Sequence, residues 1–496
     1  MFYIIIIFRM FSLTFNQLAI SEDLEKSNIV RKQPDILDRN GVVIATNVPT
    51  TSLYIDSTRV RNPESIAAQL CSVLDDLKYE DLYKILTSKK KFAWIKRHLT
   101  PRELLAIKNA GVPGVNFYDY VKRIYPHSNL FSHVLGYTDI DGKGIAGVEA
   151  YISKNNEQKK PVVLSLDTRV QSIVHEELTN AVNRYQALGG VGIVLRVKNS
   201  EIISMVSLPD FNPNLQNKAK DVQKFNRASL GVYEMGSVLK FFTIAAALDA
   251  KVVKIGDLYD VSKPITIGKY EIRDFHKFKI PKITVRDIFV KSSNIGAAKI
   301  AVKLGIEKQV EYFKIMKLFS PLKIEVPEKS TPIIPDKWSE GTLITASYGY
   351  GIAVTPMHIA QTAAALVNNG IFHNATLMLN KRGIGEQIIA RSTSRAIRKL
   401  LRAAVTDGTG KQANIKAYSI GGKTGSAEKV VNGKYSKDAN IASFIGVLTM
   451  LDPGYIVLVV IDEPQGMQHT GGIVAAPVVK NIMTRIAPIL NVTPEM

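Results

Sequence analysis

A serine three residues ahead of a lysine, Ser237 and Lys240 in "GVYEMGSVLKFFTIAAALDA", has the residue types of a nucleophile and its base. On a helix, positions three apart share a face and lie within reach of each other. Serine attacks only once a neighbour takes its proton, and an amine can do so when it is neutral. Leu239, Phe241 and Phe242 would desolvate the lysine, and the positive end of a helix would lower its pKa further. The apolar spacing predicts a helix from Val238 onward, which puts Ser237 at the N-cap and Lys240 in the first turn. A cation there costs roughly 0.3 to 1 kcal/mol, so it needs a purpose. Alone, the pair is cheap, because Ser88, Ser320 and Ser426 also have lysine three residues on.

Two further patterns could complete such a site. "KSSNIGAAKIA" supplies Ser292 and Asn294, which read either as helix capping by Ser292, Ser293 or Asn294, or as a loop facing the nucleophile. In the second reading Ser292 relays protons and Asn294 holds a substrate amide. Ser153-Lys154-Asn155 has the same pattern. "IGGKTGSAEKV" invites a phosphate-loop reading through Gly422-Lys423-Thr424, with Asp462-Glu463 ending a later apolar strand. Ala417 stands where the first glycine belongs, however, and Asn432-Gly433 signals a turn where a phosphate loop opens a helix. The alternative is a sheet-edge strand on which Gly421, Gly422 and Gly425 clear side chains for a peptide to pair, with Lys423 and Thr424 meeting its carboxylate end.

The elements that must position these residues are legible in part. "DILDRNGVVIATN" carries an Asn40-Gly41 hairpin signal, and helices are expected near Ile66 to Leu77 and Pro101 to Ala110. The polar run Ser153 to Pro161 reads as a domain boundary. Beyond it come a helix from Arg169 to Tyr185, two strands around Lys198-Asn199-Ser200, helices from Val238, Ile295, Thr355 and Arg391, and a hairpin turning at Asp452-Pro453-Gly454. Hairpins separated by helices imply an α+β fold, an antiparallel sheet packed by helices. At 496 residues, more than one domain is expected.

The net charge of +20 suits an anionic partner. It is spread along the chain without a basic block and interleaved aromatics, so nucleic acid is not the expected one. One cysteine excludes an internal disulfide and a cysteine-based metal site. "MFYIIIIFRMFSLTFNQLAI" reads as an uncleaved membrane anchor interrupted by Arg9, and a start inside a longer anchor would explain the missing basic tail.

Serine-x-x-lysine, S-x-N and K-T-G, in that order at 237, 292 and 423, form the signature set of penicillin-binding proteins and serine β-lactamases. With "SLPDFNPN", "FNRASLGVYEMGSVLKFFTIAAALD", "IRDFHKFK", "SYGYGIAVTPMHIA", "VTDGTGKQA" and "IDEPQG", the chain resembles class B penicillin-binding proteins. It is closer to the division-specific, FtsI-type enzymes than to the elongation-specific ones. "PDILDRNGVVIAT" and "HVLGYTDIDGKGIAGVEAYI" resemble the family's noncatalytic pedestal. The resemblance implies an anchor over 1–20, a pedestal over 21–155 and a transpeptidase domain over 160–490. It implies Ser237 as acylated nucleophile, Lys240 as base and Ser292 as proton relay. Asn294, Lys423, Thr424, Gly425 and Ser426 would bind substrate, and the N–H groups of Ser237 and Ser426 would form the oxyanion hole. The implied activity is D,D-transpeptidation of peptidoglycan stem peptides during septal wall synthesis, without cofactor or metal and inhibited by β-lactams. The expected place is the bacterial inner membrane, single-pass with a periplasmic catalytic domain, beside a glycan polymerase and divisome proteins. A D,D-carboxypeptidase, a β-lactamase-like hydrolase and an idle scaffold or sensor are the competing readings. Met235 replaces the family's usual proline, and Ser426 its frequent threonine.

Overall fold

The computed structural model describes residues 33–155, 160–268, 270–381, 383–466 and 469–494. The anchor expected over 1–20 lies outside them.

The N-terminal part is built on a sheet whose first hairpin pairs β1 (Ile36–Leu37) with β2 (Val43–Ile55) across the Asn40-Gly41 turn. The long β2 also pairs antiparallel with β3 (Ala93–Leu99) and β4 (Val115–Ile124). Helices Pro63–Val73, Tyr79–Leu86 and Pro101–Ala110 cover one face of this sheet, burying Leu53, Ile55, Ile95 and Leu99. Asn62 and Thr100 cap the first and third of these helices, each with proline opening the first turn.

The expected boundary is only partly a break. Ser153 to Asn155 continue the helix Gly147–Asn155, because the polar run starts before that helix has finished burying Val148 and Ile152. Just beyond it, β5 (Val162–Val163) lies parallel to β1, so the chain entering the second part is itself a strand of the first. The β1–β2 turn is also locked onto that second part: Asp38 accepts from the Thr168 N–H (3.0 Å) and hydroxyl (2.8 Å), and Asn40 donates to Asp167 (3.1 Å).

The second part is organised by a five-stranded antiparallel sheet of β6 (Gly189–Arg196), β7 (Ile202–Leu208), β8 (Gly421–Val431), β9 (Lys434–Leu448) and β10 (Tyr455–Asp462), in the order β8-β9-β10-β6-β7. Both of its faces are covered, and the side-chain alternation of β10 shows it. Ile456, Leu458 and Val460 enter one core with the helices Leu239–Asp249 and Pro356–Val367, while Val457, Val459 and Ile461 enter another with Thr168–Arg184 and Gly471–Ile489. Gly471–Ile489 is the one helix among the described residues long and apolar enough to cross a bilayer. It packs on β9 and on Thr168–Arg184, so here its apolar face is a layer of the core. The α+β architecture expected from the sequence is the one observed.

Where β4 meets the helix Gly147–Asn155, Arg123 donates to Glu149 at 2.6 Å, both side chains almost wholly buried. Burial pushes the Glu149 carboxyl up against the pull of the guanidinium. Removing one partner leaves a charge stranded in the core. Arg123→Ala should therefore destabilise the fold by about 3–5 kcal/mol in denaturant unfolding. The paired replacement Arg123→Met with Glu149→Leu should cost much less; equal losses would show that the pair's charge is not what matters.

Candidate active site

The helix Leu239–Asp249 is buried from Leu239 to Ala247, so its polar residues can serve only groups inside the protein. A tight turn, Gly236–Val238, precedes it, and Ser237 lies within that turn and not at the expected N-cap; the cap position is Val238, which makes no side-chain bond. The cause is crowding of backbones. Gly236 has φ +51°, and a Cβ there would lie 2.2 Å from the Ser426 carbonyl oxygen of β8. Gly349, φ +97°, presses from the other side, where a Cβ would lie 2.0 Å from Gly236 O. Squeezed between them, the chain presents a half-buried Ser237 hydroxyl with no capping bond to make.

Lys240 is fully buried and its Nζ meets four uncharged oxygens: Ser237 Oγ at 2.9 Å, Ser292 O at 2.7 Å, Asn294 Oδ1 at 2.7 Å and Ser292 Oγ at 3.2 Å. Burial drives its pKa well below the usual lysine range; Lys423 pushes the same way, and Asp274 opposes both. A neutral amine has two hydrogens and one lone pair. The Ser292 carbonyl and the Asn294 amide oxygen can only accept, so they take the hydrogens. The lone pair is then left for a hydroxyl, and Ser237 is placed to donate to it. The arrangement can thus remove the serine proton directly.

Ser292 ends the helix Val285–Lys291 in a left-handed conformation (φ 62°), which turns both its carbonyl and its hydroxyl toward the lysines. Ser293, not Ser292, caps the next helix, Asn294–Leu304, accepting from Gly296 N–H at 2.9 Å. Capping in "KSSN" thus falls to Ser293, while Ser292 and Asn294 face Lys240 beside the nucleophile. Asp274 sits on the same helix end, accepting from Ser293 Oγ (2.8 Å), Ile295 N–H (3.1 Å) and Asn294 N–H.

On β8, the free edge of the sheet, Lys423 is also fully buried. Its Nζ donates to Ser292 Oγ (3.0 Å) and to the Thr424 carbonyl (3.1 Å), and burial lowers its pKa to about 7. Shut off from solvent, its amine can reach an anion at the strand only by its field, and the groups available for contact there are hydroxyls. Thr424 provides one, and an exposed Thr409 lies beside it with its Oγ1 at 2.8 Å. The glycines do a different job from the one expected. A Cβ at Gly421 would strike Met450 Sδ at 2.4 Å, at Gly422 the Phe444 ring at 2.5 Å, and at Gly425 Ser443 Oγ at 2.3 Å and Met235 O at 2.6 Å. They clear room for the protein's own atoms, and Gly425 lets the nucleophile turn reach the strand. Ser426 is exposed, with its hydroxyl accepting from Gly471 N–H at 2.9 Å.

All eight expected site residues thus converge, six of them through direct hydrogen bonds. Thr409 and Asp274 were quoted in the sequence only as flanks, in "VTDGTG" and "IRDFHKFK"; their distance along the chain from the motifs gave no hint of a role.

Fold, site and sequence point to one class, the penicillin-binding serine acyltransferases. Residues 190–484 match the Penicillin binding protein transpeptidase domain and residues 34–160 the Penicillin-binding Protein dimerisation domain. The probable peptidoglycan D,D-transpeptidase FtsI of Caulobacter vibrioides is 34% identical over 92% of this chain and 81% of its own length. The probable peptidoglycan D,D-transpeptidase PenA of Neisseria gonorrhoeae is 32% identical over 97% and 89%. The fold is that of penicillin binding protein 3 from Mycobacterium tuberculosis, solved with aztreonam, at a TM-score of 0.74, 22% identity and coverage of 94% of this chain and 97% of that one. The chain belongs to the class B penicillin-binding proteins and is of the FtsI type, a serine-type D,D-transpeptidase.

The two depressed lysines set a pH dependence. Burial drives the Lys240 pKa well below the usual lysine range, while Lys423, lowered to about 7, is cationic below that pH and neutral above it. The second-order rate of acylation by a carboxylate-bearing β-lactam should therefore fall as pH rises through about 7. A neutral analogue should lack that limb, and so should Lys423→Ala. Stopped-flow acylation between pH 6 and 9 checks this; a flat profile for the anionic compound would contradict the role given to Lys423.

Proposed function

We propose that Ser237 is acylated by the stem peptide of peptidoglycan and hands the acyl group to an amine on a neighbouring stem. The observation that carries the reading is the buried Lys240 amine 2.9 Å from Ser237 Oγ, its pKa driven well below the usual lysine range by burial. Lys240 takes the hydroxyl proton as the Ser237 oxygen bonds to the penultimate D-alanine carbonyl carbon. The carbonyl oxygen gains the displaced electron pair beside the N–H groups of Ser237 and Ser426. Collapse of that adduct breaks the C–N bond, and the proton passes through Ser292 to the departing D-alanine amine. In the second half the acceptor amine attacks the ester, its proton returns to Ser237, and the cross-link forms. Asn294 holds the substrate amide. Lys423, Thr424 and Thr409 receive the terminal carboxylate, and Gly425 and Ser426 line the strand beside the acylated serine.

The FtsI-named relative supports a place in septal wall synthesis. The two matched domains support a pedestal over 21–155 and a catalytic unit over 160–490. The apolar residues 1–20 would anchor both in the cytoplasmic membrane with the catalytic unit in the periplasm, beside a glycan polymerase and other division proteins. β-Lactams, as mimics of the D-alanyl-D-alanine end, would inhibit by forming a slow-clearing ester on Ser237.

Mass spectrometry of the penicillin-treated protein should place the adduct on Ser237 and find none in Ser237→Ala. Lys240→Arg should slow acylation by at least about 100-fold, because guanidinium does not give up its proton. An adduct that clears within seconds would indicate a hydrolase, and equal labelling of Ser237→Ala would leave only the scaffold or sensor.

A further inference from the structure

The face of the pedestal sheet opposite its helices carries a row of aromatic rings with no evident part in folding that core. On β2 and β3, Tyr54 and Trp94 alternate with the buried Leu53, Ile55 and Ile95, and therefore point away from the helices. Tyr118 and Tyr120 on β4 stand on the same face, opposite Ser52 and Thr50. Ring centroids follow one another at 4.6 Å (Tyr54–Phe92), 4.8 Å (Phe92–Trp94), 5.9 Å (Trp94–Tyr118) and 6.3 Å (Tyr118–Tyr120). Tyr120 is buried; the other four rings are partly exposed. Arg97 lies over Trp94 and Tyr120, at 5.2 and 4.4 Å from their centroids, and is pinned there by Asp141 at 2.8 Å.

The surroundings are cationic. Lys89, Lys90 and Lys91 immediately precede Phe92 and are exposed, and Lys122 continues the Tyr118–Tyr120 line. The acidic side chains nearby are already engaged, Asp141 by Arg97 and Asp56 by Arg59 at 3.1 Å. A partly exposed row of rings edged with lysines fits an extended polymer with flat apolar faces and negative charges along it. Pyranose rings present C–H faces that stack on aromatic rings, and the carboxylates of stem peptides would meet the lysines. We infer that this face binds the glycan strands of peptidoglycan, holding the polymer while the catalytic unit works on its peptides. The identity of the polymer rests on the transpeptidase reading.

The test uses the full chain with Ser237 blocked by penicillin, so that the active site cannot contribute, and peptide-free glycan strands as the probe. In a Trp338→Phe background Trp94 is the remaining tryptophan, and its fluorescence should change on binding. Trp94→Ala and Tyr118→Ala should each weaken co-sedimentation with the strands by about tenfold. Lys89→Glu with Lys90→Glu and Lys91→Glu should weaken binding to peptide-bearing wall more than to peptide-free strands. Penicillin labelling of every variant should match the parent, which verifies folding; a parent that does not label would count against the transpeptidase reading instead. Unchanged glycan binding by both Trp94→Ala and Tyr118→Ala would overturn the inference, as would a Trp94 response to anionic lipid vesicles or to self-association in place of glycan.

Discussion

The site depends on one unfavourable burial. Enclosing the Lys240 ammonium among uncharged oxygens, with a second lysine nearby, makes the charged form costly and drives its pKa well below the usual lysine range. A carboxylate in direct contact would have reversed this and made the lysine a cation unfit to be a base. Asp274 is the nearest candidate for that part, and its oxygens are occupied instead by the N-terminus of the helix Asn294–Leu304 and the Ser293 hydroxyl. It opposes the Lys240 shift at a distance and leaves the amine free of a salt bridge.

Holding that geometry requires three segments remote in sequence to meet within a hydrogen-bond length, and the backbone makes this possible. Gly236, Gly349 and Gly425 stand where the nucleophile turn, the loop after the helix Glu340–Ser347 and strand β8 touch main chain to main chain. A Cβ at Gly236 would lie 2.2 Å from Ser426 O, at Gly349 2.0 Å from Gly236 O and at Gly425 2.6 Å from Met235 O, so any of them would push these backbones apart. The left-handed Ser292 does the equivalent work on the third segment. Covered on both faces, the central sheet gives β8 a rigid backing, and its order leaves that strand unpaired along the side next to Ser237.

Much of this was legible in the sequence because it is periodic or local. Asn40-Gly41 and Asn432-Gly433 each close a hairpin, and the unbroken apolar run of "YIVLVVID" marks a strand buried on both faces. Ser237 reads as a cap in the sequence because the forces that place it are nonlocal: Gly349 lies more than a hundred positions away, and no spacing rule sees it. The glycines of β8 were recognised as clearing space but assigned to the wrong occupant, since Phe444, Met450 and Ser443 come from other parts of the fold. Thr409 and Asp274 escaped for the same reason. Each lies far along the chain from its partner, and its type alone is common.

The pedestal follows from the same physics at larger scale. A chain that merely needed a spacer could have ended its first sheet before the second began. Here β5 pairs with β1 on its way into the catalytic part, Asp38 and Asn40 bind the start of the helix Thr168–Arg184, and Glu328 accepts from Gly147 N–H at 3.1 Å. Ile36, Ile44, Tyr125 and Phe131 share a continuous core with the helix that carries Lys240. Gly147, at φ +60°, has no room for a Cβ against Leu135 and Gly136, so the contact is as tightly specified as those in the active site. Closely fitted packing transmits displacement because it cannot deform gradually. The Ser229–Glu328 hydrogen bond ties this same contact to the segment that leads into Ser237, so the two parts are fixed to each other beside the nucleophile.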